Sequence, residues 1–231
     1  MNPEPSTNVS DDLNDDEAGK NLAEVISELR ERIVRQVLTP GQRLVERQIA
    51  AEFGVSRAVV RDALSDLTRR HLIVRYPNRG AEVVRLGAAD ITAIYEVREN
   101  IESLCARLAT ERTQPGDWSD LVELFNGPVA ETVRARRFDE YAGYTELLDR
   151  RMHAAAGNPV LLEILGTLAD RVAVLARRSV YLPERAEQGL VVYRALIDAF
   201  NRGDADEAAR LKQLNLRQSR DTLLHYEGFV R

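Results

Sequence analysis

The feature that most restricts the fold is a change of hydrophobic period along the chain. Leu22, Val25, Ile26, Leu29, Ile33, Val34 and Val37 recur every three or four positions, which is the spacing of one helix face. Over Leu72–Tyr76 and again over Ala81–Arg85 the period drops to two, which is strand spacing. Beyond Ala88 the helical spacing returns and holds almost to the C-terminus. The pattern predicts a mainly α chain with one short hairpin in its first half.

Local breakers divide the helical stretches. Thr39-Pro40-Gly41 ends the first helix, because proline disfavours a helical residue before it. A short helix over about 45–53 follows, with Ile49, Ala50 and Phe53 inward, and Gly54 stops it. Ser56 suits an N-cap, its hydroxyl accepting an orphan backbone N–H. The next helix, about 57–70, buries Val60, Ala63, Leu64 and Leu67. Pro77-Asn78-Arg79-Gly80 is turn chemistry between the two strands. Helix, helix, short turn, helix, hairpin is the layout of a winged helix-turn-helix.

The second half predicts six helices, about 88–112, 117–135, 137–156, 160–181, 184–201 and 204–226, punctuated by Pro115-Gly116, Gly157-Asn158-Pro159, Pro183 and Gly203. Asn126-Gly127-Pro128 kinks or splits the second of them, giving an antiparallel bundle of six to seven helices. Asp204 with Glu207 is an acidic capping box. The expected domains are an acidic disordered tail over 1–18, a winged helix-turn-helix over 19–86 and a helical unit over 88–226. Residues 1–18 hold too few apolar side chains to offset ordering entropy.

The formal net charge of −5 conceals a partition. Residues 1–19 carry six acids and no base; 20–87 carry 13 bases against 8 acids; the rest carries 19 bases against 23 acids. A basic module between acidic ones suits a polyanion partner. Only Lys20 and Lys212 are lysines; every other base is arginine. One cysteine, Cys105, excludes a disulfide framework and a multi-cysteine zinc site. No signal sequence or membrane-length apolar run stands out, which places the chain in the cytoplasm, on the nucleoid and off the membrane.

In helix-turn-helix docking the second helix lies in the major groove and its first residues reach base edges. Here that start is Ser56-Arg57-Ala58-Val59-Val60-Arg61. Arg57 and Arg61 share one face, and arginine's planar fork can bond guanine O6 and N7 together. Arg47 can join this surface, and Asn78, Arg79 and Gly80 form a small basic wing tip. Solvated surface charge would explain one arginine alone; the combination with a serine cap and a basic wing points to double-stranded DNA.

The run from Leu44 to Leu64, with the wing Tyr76-Pro77-Asn78-Arg79-Gly80-Ala81, closely resembles the DNA-binding domain of GntR-family transcriptional regulators. Val59 departs from the proline usual there. The resemblance implies base contacts from Arg47, Arg57 and Arg61, a wing glycine at Gly80, and a homodimer on a palindromic operator.

The remainder resembles the FCD ligand-binding bundle of the FadR-type subfamily. Its marks are Tyr95–Glu102, Asp149-Arg150-Arg151-Met152-His153 with Gly157-Asn158-Pro159, Val192–Phe200, and Gly203-Asp204-Ala205 leading to Leu214-Asn215-Leu216. Many members hold a metal with one aspartate and three histidines. Asp149 and His153 match the first pair, one turn apart on one face. Tyr193 and Asn215 stand where the other two histidines belong; both are poor ligands. The ligand count therefore favours a polar pocket without a cofactor over a tightly held divalent ion such as zinc, and Asp149 and His153 can instead pair with each other.

Arg98 faces the effector in metal-binding relatives, and its fork can grip a carboxylate; an ion pair with Glu102, one turn on, is the plainer alternative. Arg98, Glu102, Asp149, His153, Tyr193 and Asn215 are thus the expected effector-binding set, for a small organic acid or an acyl compound. The expected function is an effector-controlled repressor. Its alternative is a DNA-binding protein whose bundle only dimerises. No HExxH, nucleophile elbow or second metal cluster supports an enzyme.

Overall fold

A computed structural model describes residues 14–76 and 80–227, with side chains from Leu22 onward. Their packing divides after Val84 into two units. The wing residues Asn78 and Arg79 and the tail up to residue 13 lie outside the described residues.

The first unit contains α1 (Asn14–Val34), β1 (Arg43–Leu44), α2 (Glu46–Phe53), α3 (Arg57–Arg69), β2 (Ile73–Tyr76) and β3 (Gly80–Val83). Asn14–Ala18, expected to lack structure, are helical instead: the chain continues α1 backwards, and lengthening an existing helix fixes one residue per added hydrogen bond. At its other end α1 stops at Val34 and Gln36 takes a left-handed φ of 58°. Val37, expected on the buried face, is therefore turned out to solvent.

Val25, Leu29 and Ile33 of α1, at four-residue spacing, are buried together with Val60, Ala63, Leu64 and Leu67 of α3, and α1 packs on α3. Ile49 is the buried residue of α2, while Ala50 and Phe53 are half-buried. The sheet is antiparallel with order β1-β3-β2, Arg43 opposite Glu82 and Tyr76 opposite Gly80. The two-residue β1 lies below the length at which alternation shows in a sequence. Gly80 has φ +85°, a conformation that a side chain disfavours, so glycine closes the wing.

The second unit is all helical: α4 (Ala88–Glu111), α5 (Ser119–Asn126), α6 (Pro128–Arg134), α7 (Phe138–Ala156), α8 (Pro159–Val180), α9 (Arg185–Arg202) and α10 (Ala205–His225). The kink expected near Asn126 is a full break, with Pro128 opening α6 where its missing N–H costs nothing. Asn158 caps α8 and Asp204 caps α10 through the Glu207 N–H. α10 packs along α4 and against α9, and α4 also packs on α7. The apolar core includes Trp118 and Phe200, whose rings are 4.6 Å apart, and buried Cys105. α4, α7, α9 and α10 also enclose charged groups, which set this core apart.

Candidate nucleic-acid interface and buried polar core

Ser56 is extended (φ −68°, ψ 155°) and its Oγ accepts from the Val59 N–H at 3.3 Å. This cap fixes where α3 starts, and so which residues occupy its exposed first turn. Arg47, Arg57, Ala58 and Arg61 are exposed, and the Arg57 side chain is 70% accessible. Glu46 Oε2 lies 3.9 Å from Arg57 Nη2, and Glu46 Oε1 lies 3.9 Å from Arg75 Nη2. Arg75 reaches across from β2 and donates to the Arg61 carbonyl at 3.3 Å. A cleft of about 420 Å³ is lined by Arg43, Arg47, Arg57 and Arg75 together with Glu46 and Gly80. Four arginines against one glutamate make this face electropositive. Arg43 and Arg75 escaped sequence reasoning because they sit on strands rather than on the recognition helix; their charge was the available signal.

In the second unit, Arg98 Nε donates to Glu102 Oε1 at 2.6 Å, both side chains buried, and the guanidinium lies over the Tyr95 ring at 4.9 Å. The other Glu102 oxygen lies 2.9 Å from Lys212 Nζ. The same ammonium donates to Asp149 Oδ1 at 2.5 Å. Lys212 is 0% exposed, so three helices share one buried charge cluster. Burial pushes the Glu102 carboxyl up, but Arg98 and Lys212 outweigh it and hold it at about 2. Burial pulls Lys212 down, but Asp149 and Glu102 outweigh it and raise it.

Asp149 therefore pairs with Lys212, and no ion pair joins it to His153 among the described residues. His153 is half-buried, its Nε2 is enclosed without a partner, and its pKa is lowered chiefly by desolvation. Tyr193 and Asn215 are both buried, and desolvation raises the Tyr193 pKa. Arg185 Nη2 donates to Asn215 Oδ1 at 2.6 Å and to its carbonyl at 3.2 Å.

These residues do not fit a metal ion. The Asp149 oxygen holds an ammonium, the Asn215 oxygen holds a guanidinium, and His153 is left without a second histidine. No group of three or more His, Cys, Asp or Glu suited to a metal occurs among the described residues. Lys212 and Arg185 were missed from sequence. A lysine in a helix reads as a solvated charge by default, although Lys212 is one of only two in the chain.

Residues 21–83 match the family described as bacterial regulatory proteins, gntR family, and residues 93–217 match the FCD domain. The chain is 30% identical to an uncharacterized HTH-type transcriptional regulator, YdhC, of Bacillus subtilis, over 44% of this chain and 45% of that relative. It is 26% identical to the galactonate operon transcriptional repressor of Escherichia coli, over 80% of this chain and 88% of that one. A solved structure of a transcriptional regulator GntR from Rhodococcus sp. RHA1 superposes with a TM-score of 0.72 at 22% identity, covering 89% of this chain and 98% of that chain. That likeness speaks for the fold; the family matches carry the assignment. The chain is a DNA-binding transcriptional regulator belonging to the GntR family, in the branch that carries the FCD domain.

Proposed function

We propose that the protein is a homodimeric repressor that binds a palindromic operator through α3 and releases or engages it in response to a small organic acid or acyl compound held in the helical unit. Residues 19–86 form the DNA reader in this reading, and 88–226 the sensor and dimerisation unit. The observation that carries it is the charged centre of an otherwise apolar bundle. A bundle needed only for dimerisation has no use for Arg98, Glu102, Asp149, Lys212 and Arg185 in its interior, where each charge costs desolvation.

Several features support the parts. Arg57, Arg61 and Arg47 are exposed as base-reading residues must be, with Ser56 and Ala58 allowing close approach and Gly80 shaping the wing. Val97 and Leu104 are exposed seven residues apart on α4, with Leu147 on α7, and offer an apolar surface for a second copy. The similarity to a repressor of a galactonate operon favours an acid over a neutral effector. No helix among the described residues is long and apolar enough to cross a membrane. The protein acts by binding rather than catalysis. An effector does so by favouring one arrangement of the bundle over another, which requires different affinity for the two.

The test is selection of an operator from random duplexes, followed by gel shift with a panel of organic acids. A symmetric selected site and an acid that changes operator affinity at least tenfold are expected. A symmetric site whose affinity responds to no acid or acyl compound would leave a DNA-binding protein whose bundle only dimerises.

A further inference from the structure

The segment that joins the two units is anchored at both of its ends. On the side of the first unit, the Val84 N–H donates to the Leu72 carbonyl at 2.9 Å. On the side of the second, the Leu86 side chain packs against a buried cluster that includes Ile91 of α4, Leu175 of α8 and Leu223 of α10. The Leu86 carbonyl lies 3.5 Å from Arg178 Nη1, near the end of α8. The Ala88 N–H donates to Glu227 Oε1 at 2.7 Å, just past the end of α10. Arg85 alone separates these two anchorages, and it is exposed.

Each contact has a physical reason. The first N–H groups of a helix have no partner within it, and a carboxylate suits that end of the helix dipole. Asp90 Oδ2 accepts from the Gly87 N–H at 3.1 Å, so α4 serves that group itself. Ala88 takes its acceptor from 139 positions along the chain. A Cβ on Gly87 would lie 3.3 Å from Glu227 Oε1, so glycine lets the carboxylate come close. Glu227 also acts on half-buried Arg178: desolvation lowers the Arg178 pKa and the carboxylate opposes it. Ser179, next along α8, shares a buried hydrogen bond of 2.9 Å with Ser219 of α10, and Ser219 one of 2.7 Å with Tyr95. Tyr95 in turn lies against the Arg98 guanidinium. The helix ends that hold the linker are thus joined through hydroxyls to the buried charge cluster.

We propose that Arg178 and Glu227 form a clasp that fixes the root of the linker to the helical unit and leaves Arg85 as the hinge to the DNA reader. Opening the clasp lengthens the hinge from Arg85 alone to residues 85–88. In a homodimer on a palindrome, the second reader meets its half-site at an effective concentration set by the tether, and a looser tether loses preorganisation. The clasp therefore sets how strongly two readers act together. It also gives the bundle a lever, because a rearrangement of the charge cluster that shifts α8 or α10 moves the clasp through packed and hydrogen-bonded groups. The inference rests on the proposed homodimer, and it assigns a role to contacts that no effector touches.

The test uses the full chain. Trypsin needs a released backbone, so cleavage after Arg85 reads how often the clasp opens. Mass spectrometry of the first fragments separates this cut from those at other arginines. Glu227→Ala and Arg178→Met are each expected to speed it about tenfold, the loss of one charge-assisted hydrogen bond. Glu227→Gln keeps an oxygen for the Ala88 N–H but removes the charge beside Arg178, and is expected to speed it about threefold. The DNA arm uses a symmetric duplex selected from random sequence with wild type, and the same duplex with one half scrambled. Wild type is expected to bind the symmetric duplex about a hundredfold more tightly. Glu227→Ala is expected to lose about tenfold of that preference and to bind the scrambled duplex within about twofold of wild type. Cleavage after Arg85 at the wild-type rate in all three variants overturns the clasp. Faster cleavage with the full preference retained reduces Glu227 to a helix cap and overturns its role at the hinge. A wild type that does not distinguish the two duplexes overturns the homodimer reading instead, and proteolysis then decides alone whether the linker is clasped.

Discussion

The ammonium of Lys212 lies 2.5 Å from the carboxylate of Asp149, the residue that the sequence pairs with His153 as a candidate metal ligand. A cation is already covalently present there, held also by Glu102. Lys212→Met keeps the volume and removes the charge, leaving two carboxylates facing one another. It is expected to destabilise the protein by about 3–5 kcal/mol, the usual cost of orphaning buried partners, as read by urea denaturation. Combining Lys212→Ala with Tyr193→His and Asn215→His gives Asp149 three imidazole neighbours. The triple variant is expected to retain about one zinc per chain after dialysis, since four such donors suit zinc. Elemental analysis checks this against the wild type, which is expected to retain none.

Glu102 makes the stability of the bundle acid-sensitive in a defined window. Its carboxyl is held at about 2 in the fold against 4.5 ordinarily. A depressed pKa contributes stability that is fully present above about 4.5 and is lost as pH falls through about 2. Glu102→Gln is therefore expected to be far less stable than wild type at pH 7, with the gap narrowing below pH ~4.5. Denaturation midpoints from pH 7 to 2.5 measure it; a gap that stays constant would remove Glu102 from the acid response.

On the DNA face, the arginines divide by role. Arg57→Ala and Arg61→Ala are expected to cost ~1–3 kcal/mol at the base pairs they read and to relax preference there. Arg43→Ala and Arg75→Ala, on the strands of the cleft, are expected to weaken all sequences alike. Each should reduce the slope of log affinity against log salt by about 1. Competition gel shifts at three salt concentrations separate the two patterns.

Much of this architecture was legible because breakers punctuate it. Pro115-Gly116, Gly157-Asn158-Pro159 and Gly203 place helix ends to within a residue or two, and the Ser56 cap marks the start of α3. β1 was not legible, since two residues cannot display a period. Val37 misled because a left-handed Gln36, which no residue type announces, ends α1 early. Within the candidate site, Arg98, Glu102, Asp149, His153, Tyr193 and Asn215 could be named from spacing and resemblance. What could not be read was who neutralises whom. Lys212 and Arg185 lie on helices where charge is ordinarily solvated, and only packing of α10 and α9 against α4 puts them inside.

The Ser56 cap can be separated from DNA contact. Ser56→Ala is expected to cost about 1 kcal/mol of stability, the typical value for a lost N-cap. Ser56→Asp restores an acceptor for the Val59 N–H and should recover stability. Its negative charge on the face that meets phosphates should leave operator affinity reduced. Stability and affinity that recover together would mean that Ser56 serves only the fold.

Cys105 has a practical consequence. Its thiol is fully buried on α4, and desolvation pushes its pKa up to about 11, so almost no thiolate exists at neutral pH. A cysteine placed at an exposed position, such as Val191 on α9, would be the one reactive thiol in each chain. A single spin label or fluorophore could then be attached to an otherwise unaltered chain. Its distance to the same label on a second copy could be followed as acid or operator is added.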